Sequence, residues 1–275
     1  MPPPTSEPRL LSPAQLQSVQ RIAYDCCGLD LRRGKEALIE SRISHHMREK
    51  GFTDVREYLS LLDGGRNRDM LDGLLSHLTT NHTYFFREPS HITFFEKHIC
   101  APLAGTREKL FVWSAASSSG EEPYSLAIAA REALGAEAAT KVRILATDIS
   151  LRMLARAREG VYPAEALTSM APPLRQRYFQ LDRASERYRI RDEIRAMVAF
   201  RRLNLIEPLP QFPPADVIFC RNVMIYFDAP TRAGVVDRLI ERLRPGGYFF
   251  VGHSETLGLA DERLGYLEPS AYRRV

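Results

Sequence analysis

Cysteine is scarce in this sequence. There are four among 275 residues, Cys26, Cys27, Cys100 and Cys220, and no Cys-x-x-Cys pair. Adjacent thiols such as Cys26 and Cys27 do not suit a tetrahedral zinc site, so no metal role is expected. Reduced thiols in a cytoplasmic protein are the simplest account. No stretch approaches the roughly 18 apolar residues of a membrane span. The opening Met-Pro-Pro-Pro-Thr-Ser-Glu-Pro lacks the apolar centre of a signal peptide and reads as a short disordered arm. Charge excess of either sign is small. A net charge of +4 is a weak footprint for nucleic acid, and the Asn-Pro-Pro-Tyr type of motif used in base methylation is missing. Neither G-x-G-x-x-G nor a Walker loop occurs.

What is present begins with Phe111-Val-Trp-Ser-Ala-Ala-Ser-Ser-Ser-Gly-Glu-Glu-Pro-Tyr-Ser-Leu-Ala127. The apolar run Leu110 to Trp113 is a buried parallel strand in character. Ser114 to Gly120 holds only small residues, so a ligand can approach its backbone. Pro123 suits the first turn of a helix. Strand, small loop and helix N-terminus form half of a nucleotide-type site, although an ordinary βα turn has the same look. One glycine and no lysine argue against a phosphate-binding loop.

Residues 12 to 98 read as helical. Ser12, Pro13 and Gln15 make a capping box ahead of a stripe of Leu16, Val19, Ile22, Ala23 and Cys26, with Gly28 as terminator. A second helix, about Lys35 to Lys50, buries Ile39, Ile43 and Met47. A short third uses Tyr58, Leu59 and Leu62 before Asp63-Gly-Gly65. A fourth, from near Asn67, buries Met70, Leu71, Leu74, Leu75 and Leu78. From Lys109 strands and helices alternate, which implies a mostly parallel sheet. Its strands are expected at 110–113, Val142–Ala146, Val198–Leu205, Asp216–Cys220 and Gly246–Val251, with a closing edge pair in 264–275. Tyr178-Phe179 and Tyr188-Arg-Ile190 suggest a small hairpin within 161–200.

In such a sheet, ligands bind beyond the carboxyl ends of the strands. Those ends carry Ser114–Gly120, Asp148, Asn204 and Asn222. Asp148 can accept two hydrogen bonds from ribose hydroxyls; the alternative is a helix cap, for which Ser150 suffices. Asn204 and Asn222 either read an adenine edge or cap loops.

Five motifs then resemble the chemotaxis receptor methyltransferases, the CheR family, in that family's order: Thr80-Asn-His-Thr-Tyr-Phe-Phe-Arg-Glu88, Trp113–Ser125, Ala146-Thr-Asp-Ile149, Cys220-Arg-Asn-Val-Met-Ile-Tyr-Phe-Asp228 and Pro245-Gly-Gly-Tyr-Phe-Phe-Val-Gly-His-Ser-Glu255. The resemblance spans nearly the whole chain. It implies a Rossmann-like S-adenosylmethionine-dependent methyltransferase domain over 89–275, with a small β-subdomain in about 161–200, behind an all-α docking domain over 1–88. It implies methylation of glutamate side chains on the cytoplasmic methylation helices of chemoreceptors, with S-adenosylhomocysteine as the second product. By motif position Asn81, Thr83 and Arg87 line the cofactor's methionine end, and Glu122 also binds the cofactor. Asp148 takes the ribose, and Asn204, Leu205, Arg221 and Asn222 surround the adenosine. Arg87 and Tyr226 stand at the reacting centre. His82 replaces a glutamate found in some members and receives no role. A monomer is expected, cytoplasmic and recruited to receptor arrays, without membrane insertion or nucleic acid.

A glutamate carboxylate, with a reference pKa of about 4.3, is ionised at neutral pH and needs alignment rather than a base. Segment 32–50 carries Arg32, Arg33, Lys35, Arg42, Arg48 and Lys50 against Glu36, Glu40 and Glu49. It is either a solvated face or, as the resemblance implies, a docking face for acidic receptor helices, with Arg42 and Arg48 as contacts. The resemblance implies that members gripping a receptor C-terminal pentapeptide have a longer, glycine-containing hairpin loop; here Gln180–Arg187 joins the strands without glycine, so pentapeptide gripping is not expected. The competing readings are a small-molecule O-methyltransferase, a cofactor-binding module without turnover, and a nucleic-acid methyltransferase.

Overall fold

The computed structural model describes residues 10–32, 34–62, 67–255, 257 and 261–275. The expected N-terminal arm, the Asp63-Gly64-Gly65 turn and Arg33 of the basic segment lie outside them. The chain divides into two compact units, one reaching Thr80 and including Tyr226–Asp228, the other Asn81–Ile225 with Ala229–Val275. The division falls before segment 81–88 rather than after it. That segment is tied into the second unit: Ser118 Oγ donates to the Asn81 carbonyl, Phe86 N–H to Ser125 Oγ, and Phe85 packs edge-on against Tyr162 and Phe179.

The first unit contains α1 (Pro13–Cys27), α2 (Glu36–Glu49), α3 (Val55–Ser60) and α4 (Arg68–Leu78). Helix α1 opens with the expected capping box and ends on Gly28 at a φ of 73°. Val19, Ala23, Ile39, Ile43 and Leu74 are fully buried. Helices α2 and α4 approach closely at Gly73, where a Cβ would stand 2.4 Å from His46 Nε2. His46 is itself buried, with Nδ1 2.8 Å from the Tyr58 hydroxyl.

The second unit opens with α5 (Pro89–Phe94), prolonged by a π-helical turn Phe95–Cys100. There follow β1 (Leu110–Ala115), α6 (Glu121–Leu134), α7 (Ala138–Lys141), β2 (Val142–Asp148), α8 (Leu151–Glu159), β3 (Val161–Pro163), α9 (Pro172–Tyr178), β4 (Phe179–Asp182), β5 (Arg187–Ile190) and α10 (Asp192–Arg195). Then come β6 (Val198–Arg202), β7 (Ala215–Cys220), α11 (Ala229–Glu241), β8 (Leu243–Val251), β9 (Leu264–Glu268) and β10 (Ala271–Arg274). Seven strands form one sheet in the order β6-β2-β1-β7-β8-β10-β9, parallel from β6 to β8 and closed by the antiparallel β10 and β9. Strand β7 is buried at every residue, as a central parallel strand must be with both faces covered. The chain winds outward from β1 to β2 and β6, then returns to lay β7 beside β1. That reversal opens a crevice at the carboxyl ends of β1 and β7.

The third strand stops at Arg202, so Asn204 and Leu205 lie in the turn beyond it. The small hairpin is a three-stranded sheet, β3-β5-β4. Its third member is three residues long and includes a proline, too little pattern for a sequence reading. Its β4–β5 turn reaches positive φ without glycine, at Glu186 with a φ of 53°.

Candidate active site

The loop after β1 is built for close approach. Ala116, Ser118 and Gly120 take φ values of 83°, 48° and 98°. Ala116 and Ser117 N–H groups donate to the Thr147 carbonyl, which folds the loop over the end of β2. Gly120 is required: a Cβ there would meet Ala157 Cβ at 2.9 Å and the Tyr162 hydroxyl at 3.0 Å. Ser117 Oγ is buried and has no hydrogen-bond partner among the described residues.

Asp148 ends β2 beneath this loop. Its carboxylate accepts the Ser118 and Ser150 N–H groups, each at 2.8 Å. Burial pushes its pKa up despite those donors. The helix cap for α8 is Ser150, whose Oγ accepts Met153 N–H, so Asp148 is not needed for that task. Two N–H groups do not exhaust a carboxylate with about four lone-pair sites, and ribose hydroxyls are suitable further donors.

Arg221, directly after β7, has a side chain only 1% exposed. Its Nε and Nη2 both point at Glu88 Oε2, at 3.1 and 3.0 Å, while Nη1 reaches Glu122 Oε2 at 3.1 Å and Nη2 also donates to the Arg87 carbonyl. The guanidinium therefore joins the 81–88 segment, the start of α6 and the end of β7. Asn222, at a φ of 59°, adds an Nδ2 contact of 3.1 Å to Glu88 Oε1. Burial works to raise the Glu88 pKa, yet the Arg221 charge and the donors from Asn222 and His253 N–H hold it below the ordinary range. Burial of Glu122 wins over Arg221 and Ser114 and drives its pKa up. Glu122 Oε1 accepts the Ser114 hydroxyl at 2.7 Å.

Glu255 is a second buried hub. It accepts N–H groups from Asn222 at 2.6 Å, Met224 at 2.6 Å, Ile225 at 3.2 Å and Gly252 at 2.7 Å, and so shapes the turn after β7. Glu88 and Glu255 each close a motif that carries the family resemblance, which by itself assigns neither a role. Glu88 and Arg221 stand 133 residues apart, beyond any local spacing rule. The one signal in the sequence is that Glu88 and Glu255 are each the closing residue of a motif.

Asn81 and Thr83 are half-buried on the segment beside the loop, which holds Asn81 through Ser118. Arg87 donates one Nη1 bond of 2.9 Å to the His82 carbonyl, and its guanidinium lies 5.8 Å from the Tyr84 ring centre. Asn204 closes a turn, Nδ2 to Glu207 and Oδ1 from Ile206 N–H, and the Leu205 carbonyl accepts Arg238 Nε. Tyr226 counts with the helical unit, its carbonyl accepting Asp30 N–H at 2.9 Å. Within that unit Arg42 donates to the His77 and Thr79 carbonyls and thereby caps α4, whereas Arg48 is exposed and its Nε donates to the Ser44 carbonyl of its own helix.

A doubly wound sheet, a small-residue loop whose buried Ser117 hydroxyl has no partner among the described residues, and an acidic residue ending β2 are the features expected of a nucleoside site at a topological switch point. The polar groups present fit S-adenosylmethionine: the Asp148 carboxylate can accept from hydroxyls, Ser117 Oγ and the loop backbone offer further polar groups, and Glu122 lies near the start of α6. The family profile "CheR methyltransferase, SAM binding domain" matches residues 81–272, and "CheR methyltransferase, all-alpha domain" matches residues 14–79. The protein is thus an S-adenosylmethionine-dependent methyltransferase.

The chain belongs to the CheR methyltransferase family. It is 37% identical to the chemotaxis protein methyltransferase of Borreliella burgdorferi over 94% of each chain. It is 41% identical to chemotaxis protein methyltransferase 2 of Pseudomonas aeruginosa, over 87% of this chain and 85% of that one. With the Escherichia coli chemotaxis protein methyltransferase it shares 36% identity, over 92% and 88%.

Proposed function

We propose that the protein methylates glutamate side chains on the cytoplasmic helices of chemoreceptors, in chemosensory adaptation. When bound, S-adenosylmethionine supplies an electrophilic methyl group on a sulfonium and departs as S-adenosylhomocysteine. The receptor carboxylate is the nucleophile: its oxygen forms the new bond to carbon as the carbon–sulfur bond breaks, and a glutamyl methyl ester results. No proton moves, so the residues need only bind, orient and exclude water.

The observation that carries this reading is Arg87. One N–H anchors the guanidinium to its own segment, and its other donors have no acceptor among the described residues. A planar fork held at one corner suits a carboxylate oxygen pair. Because the carboxylate loses its charge on transfer, an exposed and modest grip is preferable to a buried one. Asp148, Ser117 and the loop backbone hold the nucleoside, and Glu122 faces the methionine end. Tyr226 keeps its assignment at the reacting centre by motif position. Docking is assigned to the helical unit, with Arg48 exposed for acidic receptor helices.

The short turn Arg183–Glu186 favours recognition of the receptor body over capture of a C-terminal pentapeptide. The deciding experiment supplies radiolabelled S-adenosylmethionine with a receptor cytoplasmic fragment, the same fragment without its tail, nucleic acid, or buffer. Base-labile label on both receptor fragments is the expected outcome. Label on nucleic acid, or on neither fragment, rejects the reading, and dependence on the tail rejects its pentapeptide clause.

A further inference from the structure

We propose that the helical unit carries a divalent transition-metal site of the zinc class, formed by His45, Glu49 and His77. His45 and Glu49 stand one helical turn apart on α2, so their side chains share a face. His77 lies in the last turn of α4. His77 Nε2 is 2.9 Å from Glu49 Oε2, the His45 and His77 rings are centred 4.9 Å apart, and one donor atom from each residue falls within 4.8 Å of the others. Two imidazoles and one carboxylate form a borderline donor set that suits zinc, and not the all-oxygen shells of magnesium or calcium.

The convergence is built into the packing. Gly73 lets α4 approach α2, His46 sits in the resulting contact, and Tyr58 holds the His46 ring. His77 has a side chain only 6% exposed, and Arg42 clamps its carbonyl. One ligand is thus immobile before any ion arrives. His45 and Glu49 are exposed, which leaves the fourth tetrahedral position to water. The ion would pin α2 to α4. The Arg42 guanidinium is the nearby charge that opposes a cation, and Glu49 supplies the countercharge. A second group, Glu88, His91 and His253, also converges, but Glu88 is committed to Arg221 and Asn222, beside a full positive charge.

The test uses the whole chain, freed of metal with a chelator and titrated with zinc sulfate by calorimetry and with cobalt(II) by visible absorption. Stoichiometric binding, a tetrahedral cobalt spectrum and a zinc-dependent rise in Tm are expected. His45→Ala and Glu49→Gln alter exposed side chains and should each weaken zinc about 100-fold or more, since even indirect partners of a metal cost 10–100-fold. S-adenosylhomocysteine binding, read by calorimetry, should stay intact in both and so report the fold. His253→Ala should leave zinc affinity as it was. No zinc binding, affinity unchanged in both helical-unit variants, or loss in His253→Ala alone would overturn the proposal.

Discussion

Arg221 Nη2 stands 3.0 Å from Glu88 Oε2, a buried ion pair that fastens the end of β7 to the turn before α5. The same guanidinium holds Glu122, so one cation answers two carboxylates. Removing it strands both. Arg221→Ala should therefore cost about 3–5 kcal/mol of stability, and Arg221→Lys should not restore it, because a point charge cannot span Glu88, Glu122 and the Arg87 carbonyl together. Urea unfolding measures the loss. A cost of under about 1 kcal/mol for Arg221→Ala would contradict the hub.

Asp148→Asn should weaken S-adenosylhomocysteine binding about tenfold or more, as expected for loss of a charged acceptor worth on the order of 1.5–3 kcal/mol. Asparagine is the cleaner variant. Asp148 also holds the Ser118 and Ser150 N–H groups, so Asp148→Ala should cost stability as well as affinity. Calorimetric affinity equal to wild type in Asp148→Asn would remove the residue from the ribose site.

Arg87→Lys and Tyr226→Phe should lower kcat by at least tenfold while changing cofactor affinity little, the pattern of groups used at the transition state. Steady-state kinetics on receptor fragment, with calorimetry for the cofactor, separate the two effects. Turnover within about twofold of wild type would end the catalytic assignment of the residue concerned.

Glu121 is 6% exposed, and burial drives its pKa from the ordinary 4.5 up to about 7, against a hydrogen bond from Ser119. Between those values the unfolded chain is ionised while the native state keeps its proton. Stability should decline as pH rises through that window, by on the order of 3 kcal/mol, and then level off. His91, pushed down to about 4 by burial, works in the opposite sense over a neighbouring range, so the difference between wild type and variant is the informative quantity. Glu121→Gln should be more stable than wild type at pH 8 and equal to it near pH 4. A pH-independent difference would refute the shift.

Arg42 and Arg48 should separate. Arg42→Ala releases the cap on α4 and should lower the Tm of the protein, since the His77 and Thr79 carbonyls lose their donor. Arg48→Ala should leave the Tm unchanged, raise KM for receptor and flatten its dependence on salt. An unaltered salt profile in Arg48→Ala would return that helix face to ordinary solvation.

The sequence by itself determined the helical unit, the parallel sheet and the family. Those depend on local or ordered signals: the Ser12 capping box, the stripe Ile39–Ile43–Met47, the run into Ser114–Gly120, and motifs whose order survives without geometry. It also placed Asp148 at a strand end, where the topology makes ligand sites. Tertiary structure alone decided what each charge does. Arg221 clamps Glu88 and Glu122, and Arg42 closes a helix end; neither tie is legible locally, because Glu88 and the His77 carbonyl lie 133 and 35 residues away. Glu88 and Glu255 gained roles for the same reason. Pairing across such distances leaves no period in the sequence, since hydrogen bonds to backbone carbonyls and amides carry no residue signature at all.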